Sequence, residues 1–150
     1  MRAGRAAGLV VKAEIAVDVP NERGLIQRGE MDCGWYSPKG ELVVAWEFDG
    51  RDADDWHLLG GRKTTSSGRE VLKLGNARKF SACGAPLKVQ VFYSLKNDLT
   101  PKPPARPALN QLLFPDVDVV SDEQLMRAGG IEMYIERARN KAGIVGIQAV

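Results

Sequence analysis

RGEMDCGWYSPKGELVVAWEFDGR, residues 28–51, holds two apolar runs joined by a turn, and the fold is decided by how this stretch is read. Ser37-Pro38-Lys39-Gly40 is turn chemistry, because Pro fixes φ and Gly tolerates φ > 0. The flanking runs therefore read as an antiparallel hairpin. If Ser37 pairs with Gly40, or Tyr36 with Glu41, the register settles which side chains share a face. One face then carries Met31, Cys33, Trp35, Leu42, Val44, Trp46 and Phe48, and the other carries Glu30, Asp32, Gly34, Tyr36, Val43, Ala45, Glu47 and Asp49. This sets Asp32 and Glu47 diagonally across neighbouring strands, within reach of one shared cation. A three- or five-residue turn would send them to opposite faces.

Two carboxylates held close repel unless something positive lies between them, and an apolar neighbourhood raises the cost of ionising both. Mg²⁺ answers that need, since it favours one or two carboxylates, several waters and a substrate phosphate. The alternative is that Glu30, Asp32, Glu47 and Asp49 form the solvated face of a one-sided sheet, with Asp49-Gly50 a simple turn.

At 150 residues the chain fits one domain, and a domain of this size buries roughly two-thirds of its unfolded surface without disulfide staples. Cys33 and Cys83 lie in no CxxC pattern and read as reduced thiols of a cytoplasmic protein. The basic N-terminus has too short an apolar run for a signal peptide or a membrane span. The net charge of +2 conceals a division. Between residues 30 and 55 eight acids face only Lys39 and Arg51, a net of −6; between 60 and 102 nine bases face Glu70 and Asp98, a net of +7. An acidic cluster followed by a basic half suits metal-assisted chemistry on a polyanion.

In chain order, residues 2–12 read as a helix and 13–19 as a strand. The hairpin follows, then a polar loop at 52–61 and a hydroxyl-rich loop at 62–67. Ser67-Gly68-Arg69-Glu70 has capping-box spacing, which predicts a helix over 68–83. Residues 87–95, LKVQVFYSL, form a strand, and 100–108 are a Pro-rich connector. Ser121-Asp122-Glu123-Gln124 is a second capping-box pattern, opening a helix to about residue 142 with a weak point at Gly129-Gly130. His57 has no Cys or Ser partner in a nucleophile motif and reads as a lightly packed imidazole. Trp35, Trp46 and Phe48 alternate with Val and Leu, which makes them core rather than a base-stacking platform.

This helix, strand, hairpin, helix, strand order, with Asp32 heading the second strand and Glu47 in the third, resembles the PD-(D/E)xK nuclease superfamily over residues 2–95. The resemblance implies an α/β (α+β) fold with an αβββαβ restriction-endonuclease-like core, a mixed sheet flanked by helices, and a C-terminal helix beyond it. Residues 1–99 would form the core, 100–108 the connector and 109–150 a helical extension packed on the core. It further implies Mg²⁺ or Mn²⁺ held by Asp32, Glu47 and the backbone carbonyl of Phe48, and hydrolysis of nucleic-acid phosphodiesters, with DNA the favoured substrate. The superfamily usually places Lys two residues after the Glu, where this chain has Asp49. Some members supply the Lys from the following helix, and Lys73 is the residue expected there. Many carry a Glu in the first helix; residues 2–12 contain no acid, and Glu14 is the nearest. Arg62, Lys63, Arg69 and Lys73 would bind the nucleic acid. Two other readings stay open: an inactive nuclease fold that only binds nucleic acid, and an assembly protein that self-associates through the apolar tail and the last helix.

Overall fold

The computed structural model describes residues 2–20, 23–50, 60–93 and 115–144; side chains at 6, 50, 60–63 and 71–73 lie outside that description. The elements run α1 (Arg2–Ala6), β1 (Val10–Pro20), β2 (Ile26–Tyr36), β3 (Leu42–Gly50), β4 (Gly60–Thr64), β5 (Glu70–Leu74), α2 (Asn76–Cys83), β6 (Leu87–Tyr93), β7 (Asp118–Ser121), α3 (Asp122–Met126) and α4 (Gly130–Lys141). Five strands form one mixed sheet in the order β1-β2-β3-β6-β7, and β4-β5 forms a separate ribbon. The β1, β2 and β3 neighbours are antiparallel, whereas β6 is parallel to both β3 and β7. The crossover from β3 to β6 passes through α2, as a parallel pair requires.

Helices cover both faces of the sheet. On one face Cys33, Trp35, Val44, Trp46, Val89 and Val91 pack with Ala7, Tyr134 and Ala138, which joins α1 and α4 to the sheet. Trp46 centres this layer, 4.9 Å from the Trp35 ring and edge-on to Tyr134 at 5.3 Å. Tyr134 donates its hydroxyl hydrogen bond to Asp118 Oδ2 at 3.1 Å, which ties α4 to β7. On the other face Val17, Val19, Met31, Ala45 and Phe92 pack on Phe80 of α2. Strand β6 is buried on both faces, which is why its sequence reads as a nearly continuous apolar run.

The Ser37–Gly40 turn forms, with the Ser37 amide donating to the Glu41 carbonyl at 2.8 Å and Ser37 Oγ accepting from the Glu41 amide at 3.2 Å. Its register differs from the expected one. A bulge between Trp35 and Tyr36 pairs Trp35 with Val44 and Cys33 with Trp46. Val43 consequently joins the Trp layer and Leu42 packs against the α2 layer, the reverse of the expected assignment. Met31 also lies in the α2 layer and not beside Cys33. The cause is a bend: β1 and β2 pair in step from Val10↔Tyr36 to Pro20↔Ile26 except where Glu14 faces Asp32. Glu14 has φ +53°, a left-handed conformation that L-residues adopt at a cost. Beyond this point β2 leaves β3, and the far half of the β1–β2 hairpin folds over α2.

Several local expectations are corrected. Helix α1 stops at Ala6 because Gly8 takes φ +82° and the β-branched Val10 and Val11 favour a strand. The helix expected over 68–83 begins only at Asn76; residues 60–64 and 70–74 pair instead as a ribbon. Thr65, not Ser67, supplies the local cap, accepting from the Arg69 amide at 3.2 Å, and Gly68 at φ +80° closes a hairpin turn. The second capping box does form: Ser121 Oγ accepts from the Gln124 amide and Gln124 Oε1 from the Ser121 amide. The single helix expected after it breaks into α3 and α4 near Gly129-Gly130. Residues 118–121 add a fifth strand that the sequence reading had not placed. His57, the connector at 100–108 and the tail from 145 lie outside the described residues. No helix among the described residues is long and apolar enough to cross a membrane.

Candidate active site

The two acids meet where β2 parts from β3. Extending the pairing of Cys33 with Trp46 by one residue puts Asp32 directly opposite Glu47, rather than diagonal to it. The backbone ladder has ended there, and side chains replace it. Asp32 Oδ2 accepts from the Phe48 amide at 2.7 Å, and Glu47 Oε1 accepts from the Asp32 amide at 3.3 Å. In an extended strand the N–H and C=O of one residue point to the same edge, so the Phe48 carbonyl faces this gap as well. Phe48's own ring is exposed, lying parallel to Trp46 at 6.2 Å, so only the two Trp residues are core as expected.

A third charge comes from α2. Lys79 Nζ lies 3.0 Å from Glu47 Oε1 and donates to the Glu30 carbonyl at 2.9 Å. Its side chain is 13% exposed and that of Glu47 only 4%, so the pair is largely screened from water. Burial pushes the Glu47 carboxyl up to about 7; Lys79 pulls it down, and Asp32 and Asp49 push it up. The site thus holds a carboxylate on the verge of protonation at neutral pH, a state common where charge is put to chemical use.

Asp49, which stands where Lys was expected, is engaged by two amide side chains. Its Oδ2 accepts from Asn76 Nδ2 at 2.7 Å and Gln90 Nε2 at 2.9 Å, and Asn76 Nδ2 also lies 2.9 Å from Gln90 Oε1. Asn76 and Gln90 are buried, and buried amides left without partners would cost about 1–3 kcal/mol each. This clamp pins the first residue of α2 to β3. Lys79 follows one turn later on the same helix face, while Glu47 lies two residues back on the same strand face. Two contacts, Asn76 with Asp49 and Lys79 with Glu47, therefore fix the helix against the strand and aim Lys79 at the gap.

Lys73 is not on a helix. It lies in β5, paired with Gly61 across the ribbon, and its side chain is outside the description, as are those of Arg62 and Lys63. Arg69 is exposed at the ribbon turn. The sequence reading missed Lys79, Asn76 and Gln90. Gln90 carried a signal, a polar residue inside the apolar run 87–93, and Asn76 and Lys79 had the i, i+3 spacing of one helix face. Neither cysteine is in a disulfide; Cys33 is buried and Cys83 partly so, and burial pushes both thiols up.

A divalent cation fits this donor set in one respect and is limited in another. Asp32 and Glu47 each keep one carboxylate oxygen, Oδ1 and Oε2, without a hydrogen bond among the described residues, and the Phe48 carbonyl adds a neutral donor. Among those residues no three His, Cys, Asp or Glu side chains come together as a metal-binding group. Two carboxylates and a carbonyl are the sparse protein share that Mg²⁺ takes when waters and substrate phosphate supply the rest.

No family model, curated protein or solved structure matches the chain.

Proposed function

We propose that this chain is a metal-dependent nuclease of restriction-endonuclease-like architecture that hydrolyses DNA phosphodiesters. The observation that carries the reading is the convergence of Lys79 from α2 on buried Glu47 of β3, with Asp32 of β2 directly across the gap. The element order of helix, three antiparallel strands, helix and parallel strand supports it, with the ribbon as an insertion. The functional Lys in this reading is Lys79, which moves the role from Asp49's position to the helix.

Asp32, Glu47 and the Phe48 carbonyl would hold Mg²⁺ or Mn²⁺, which when bound would lower the pKa of a water and neutralise charge on phosphorus. Glu47 must be ionised to take part, and Lys79 favours that form. An ammonium has three protons. Two of those on Lys79 Nζ are engaged by Glu47 and Glu30, which leaves one to orient a phosphate oxygen or the attacking water. The clamp of Asp49, Asn76 and Gln90 holds Lys79 in that place.

A second reading, a nucleic-acid-binding module without chemistry, is favoured by one observation. Asp32 and Glu47 each already serve as a backbone acceptor where the ladder ends, a purely structural use. Calorimetric titration with Mn²⁺ separates the two. Asp32→Asn keeps an oxygen for the Phe48 amide while removing the charge, so the fold is retained and Mn²⁺ affinity should fall at least tenfold. Absence of Mn²⁺ binding to the unaltered protein, or equal binding by both forms, would leave only the binding module.

A further inference from the structure

The β4–β5 ribbon is separate from the five-stranded sheet. It pairs with itself, belongs to no other sheet, and packs only sparsely on any other element among the described residues. Leu74 at its base packs on the α2 layer beside Gly29. A two-stranded hairpin on its own is marginally stable in water, so one that pairs only with itself gains from a bound partner. Its charge indicates which kind. Arg62 and Lys63 lie in β4, Arg69 at the turn and Lys73 in β5, against the single acid Glu70. The turn is internally braced: the Thr65 amide donates to the Arg69 carbonyl at 2.8 Å, the Gly68 amide to the Thr65 carbonyl at 2.9 Å, and Thr65 Oγ1 lies 3.0 Å from Ser67 Oγ. Ser66, Ser67 and Arg69 are exposed at its tip.

Chain connectivity ties the ribbon to the site. β5 ends at Leu74 and α2, which carries Lys79, begins at Asn76; β4 follows the strand that carries Glu47 and Asp49. Leu74 at the base of the ribbon and the stem of Lys79 both lie beside Gly29, so the ribbon is rooted next to the residue that reaches Glu47.

We propose that the β4–β5 ribbon is a basic arm that enters the major groove of double-stranded DNA and holds the duplex against the candidate site. The B-form major groove is about 12 Å wide and admits a two-stranded ribbon. The A-form groove of duplex RNA is deep and too narrow for side chains to read. The arm therefore selects DNA over RNA among duplexes. This assignment rests on the nuclease reading for its substrate, and its test is made by binding in EDTA so that it can fail separately.

Fluorescence anisotropy of the full-length chain with a labelled 20-base-pair DNA duplex, and with the same sequence as duplex RNA, gives affinity and its salt dependence. The unaltered protein should bind the DNA at least tenfold more tightly than the RNA. Replacing Arg62, Lys63, Arg69 and Lys73 together with Ser should weaken DNA binding at least tenfold. The slope of log K against log salt should become shallower by roughly 2 to 4, as expected when each lost phosphate contact removes about 0.9. Arg69→Ser alone, outside both strands, should give a smaller change in the same direction, which covers the case of a quadruple variant that loses the ribbon. Equal DNA and RNA affinities, or DNA binding unchanged in both variants, would overturn the arm. If the arm is overturned while Mg²⁺-dependent cleavage persists, the nuclease reading stands without it; if the arm binds DNA and no cleavage occurs, the arm stands and the chemistry falls.

Discussion

Lys79→Met is expected to reduce Mg²⁺-dependent cleavage of duplex DNA by about 100-fold or more, the usual loss when one preorganised electrostatic donor is removed from a reacting centre. Met keeps the apolar stem of the side chain, so the loss reports the ammonium and not the packing. The same change removes the partner that pulls Glu47 down, so the Glu47 carboxyl should titrate above its value of about 7. Breaking a buried ion pair costs roughly 3–5 kcal/mol when the remaining charge is stranded. Here Glu47 can take up a proton instead, so the loss of stability should fall below that range at pH 6 and grow towards pH 8. Lys73→Met is the contrasting variant: it lies in the ribbon, paired with Gly61, and not on the helix that carries Lys79, so the change should weaken DNA binding while leaving the rate at saturating DNA intact. If Lys73→Met abolished turnover and Lys79→Met did not, the assignment of the functional Lys would be reversed.

Glu47 also leaves a signature in folding stability that needs no substrate. Its carboxyl is raised from 4.5 to about 7, chiefly by burial. The folded chain thus holds this proton more tightly than the unfolded chain does. The resulting stabilisation is fully present below pH 4.5 and is lost as pH rises through 7. Integrated over that window it amounts to at most about 3 kcal/mol. Glu47→Gln removes the titration and keeps an oxygen for the Asp32 amide. Urea unfolding at pH 5 and pH 8 should therefore show the variant gaining on the unaltered protein by up to that amount at the higher pH. Parallel stability profiles would mean that Glu47 is ionised throughout and that the gap is wetter than its 4% side-chain exposure indicates. Cation binding requires the ionised form, so Mg²⁺ uptake below pH 7 should release a proton in the unaltered protein only.

Much of this site could be read from residues 28–51. Alternation gave the shared face of Asp32 and Glu47, and that parity survives because the turn pairs Tyr36 with Leu42 instead of Glu41 and the bulge adds one residue more, a total shift of two. What could not be read was the bend. Nothing local marks Glu14 as a residue with φ +53°, or predicts that β2 would leave β3 at Asp32, because both follow from folding the hairpin over Phe80 of α2. The misplaced helix has a different origin. Ser67 to Glu70 has the spacing of a capping box, but the same hydroxyl and Gly residues also close a hairpin, and pairing of β4 with β5 decided the matter. Starting that helix too early led to Lys73, two positions before the true N-cap, when the residue that reaches Glu47 lies three residues into α2. Asp49 looked like a vacancy at the Lys position; the structure shows it holding the helix that carries the replacement.

The central claim is that Asp32, Glu47 and Lys79 form one hydrolytic site, and the most direct measurement is cleavage of a duplex DNA substrate in Mg²⁺, paired with affinity in EDTA, for the unaltered protein and Glu47→Gln. The account predicts Mg²⁺-dependent cleavage that the variant loses while its DNA affinity in EDTA stays within about threefold, since Glu47 is assigned to the metal and not to a DNA contact. Equal cleavage by both forms would contradict it.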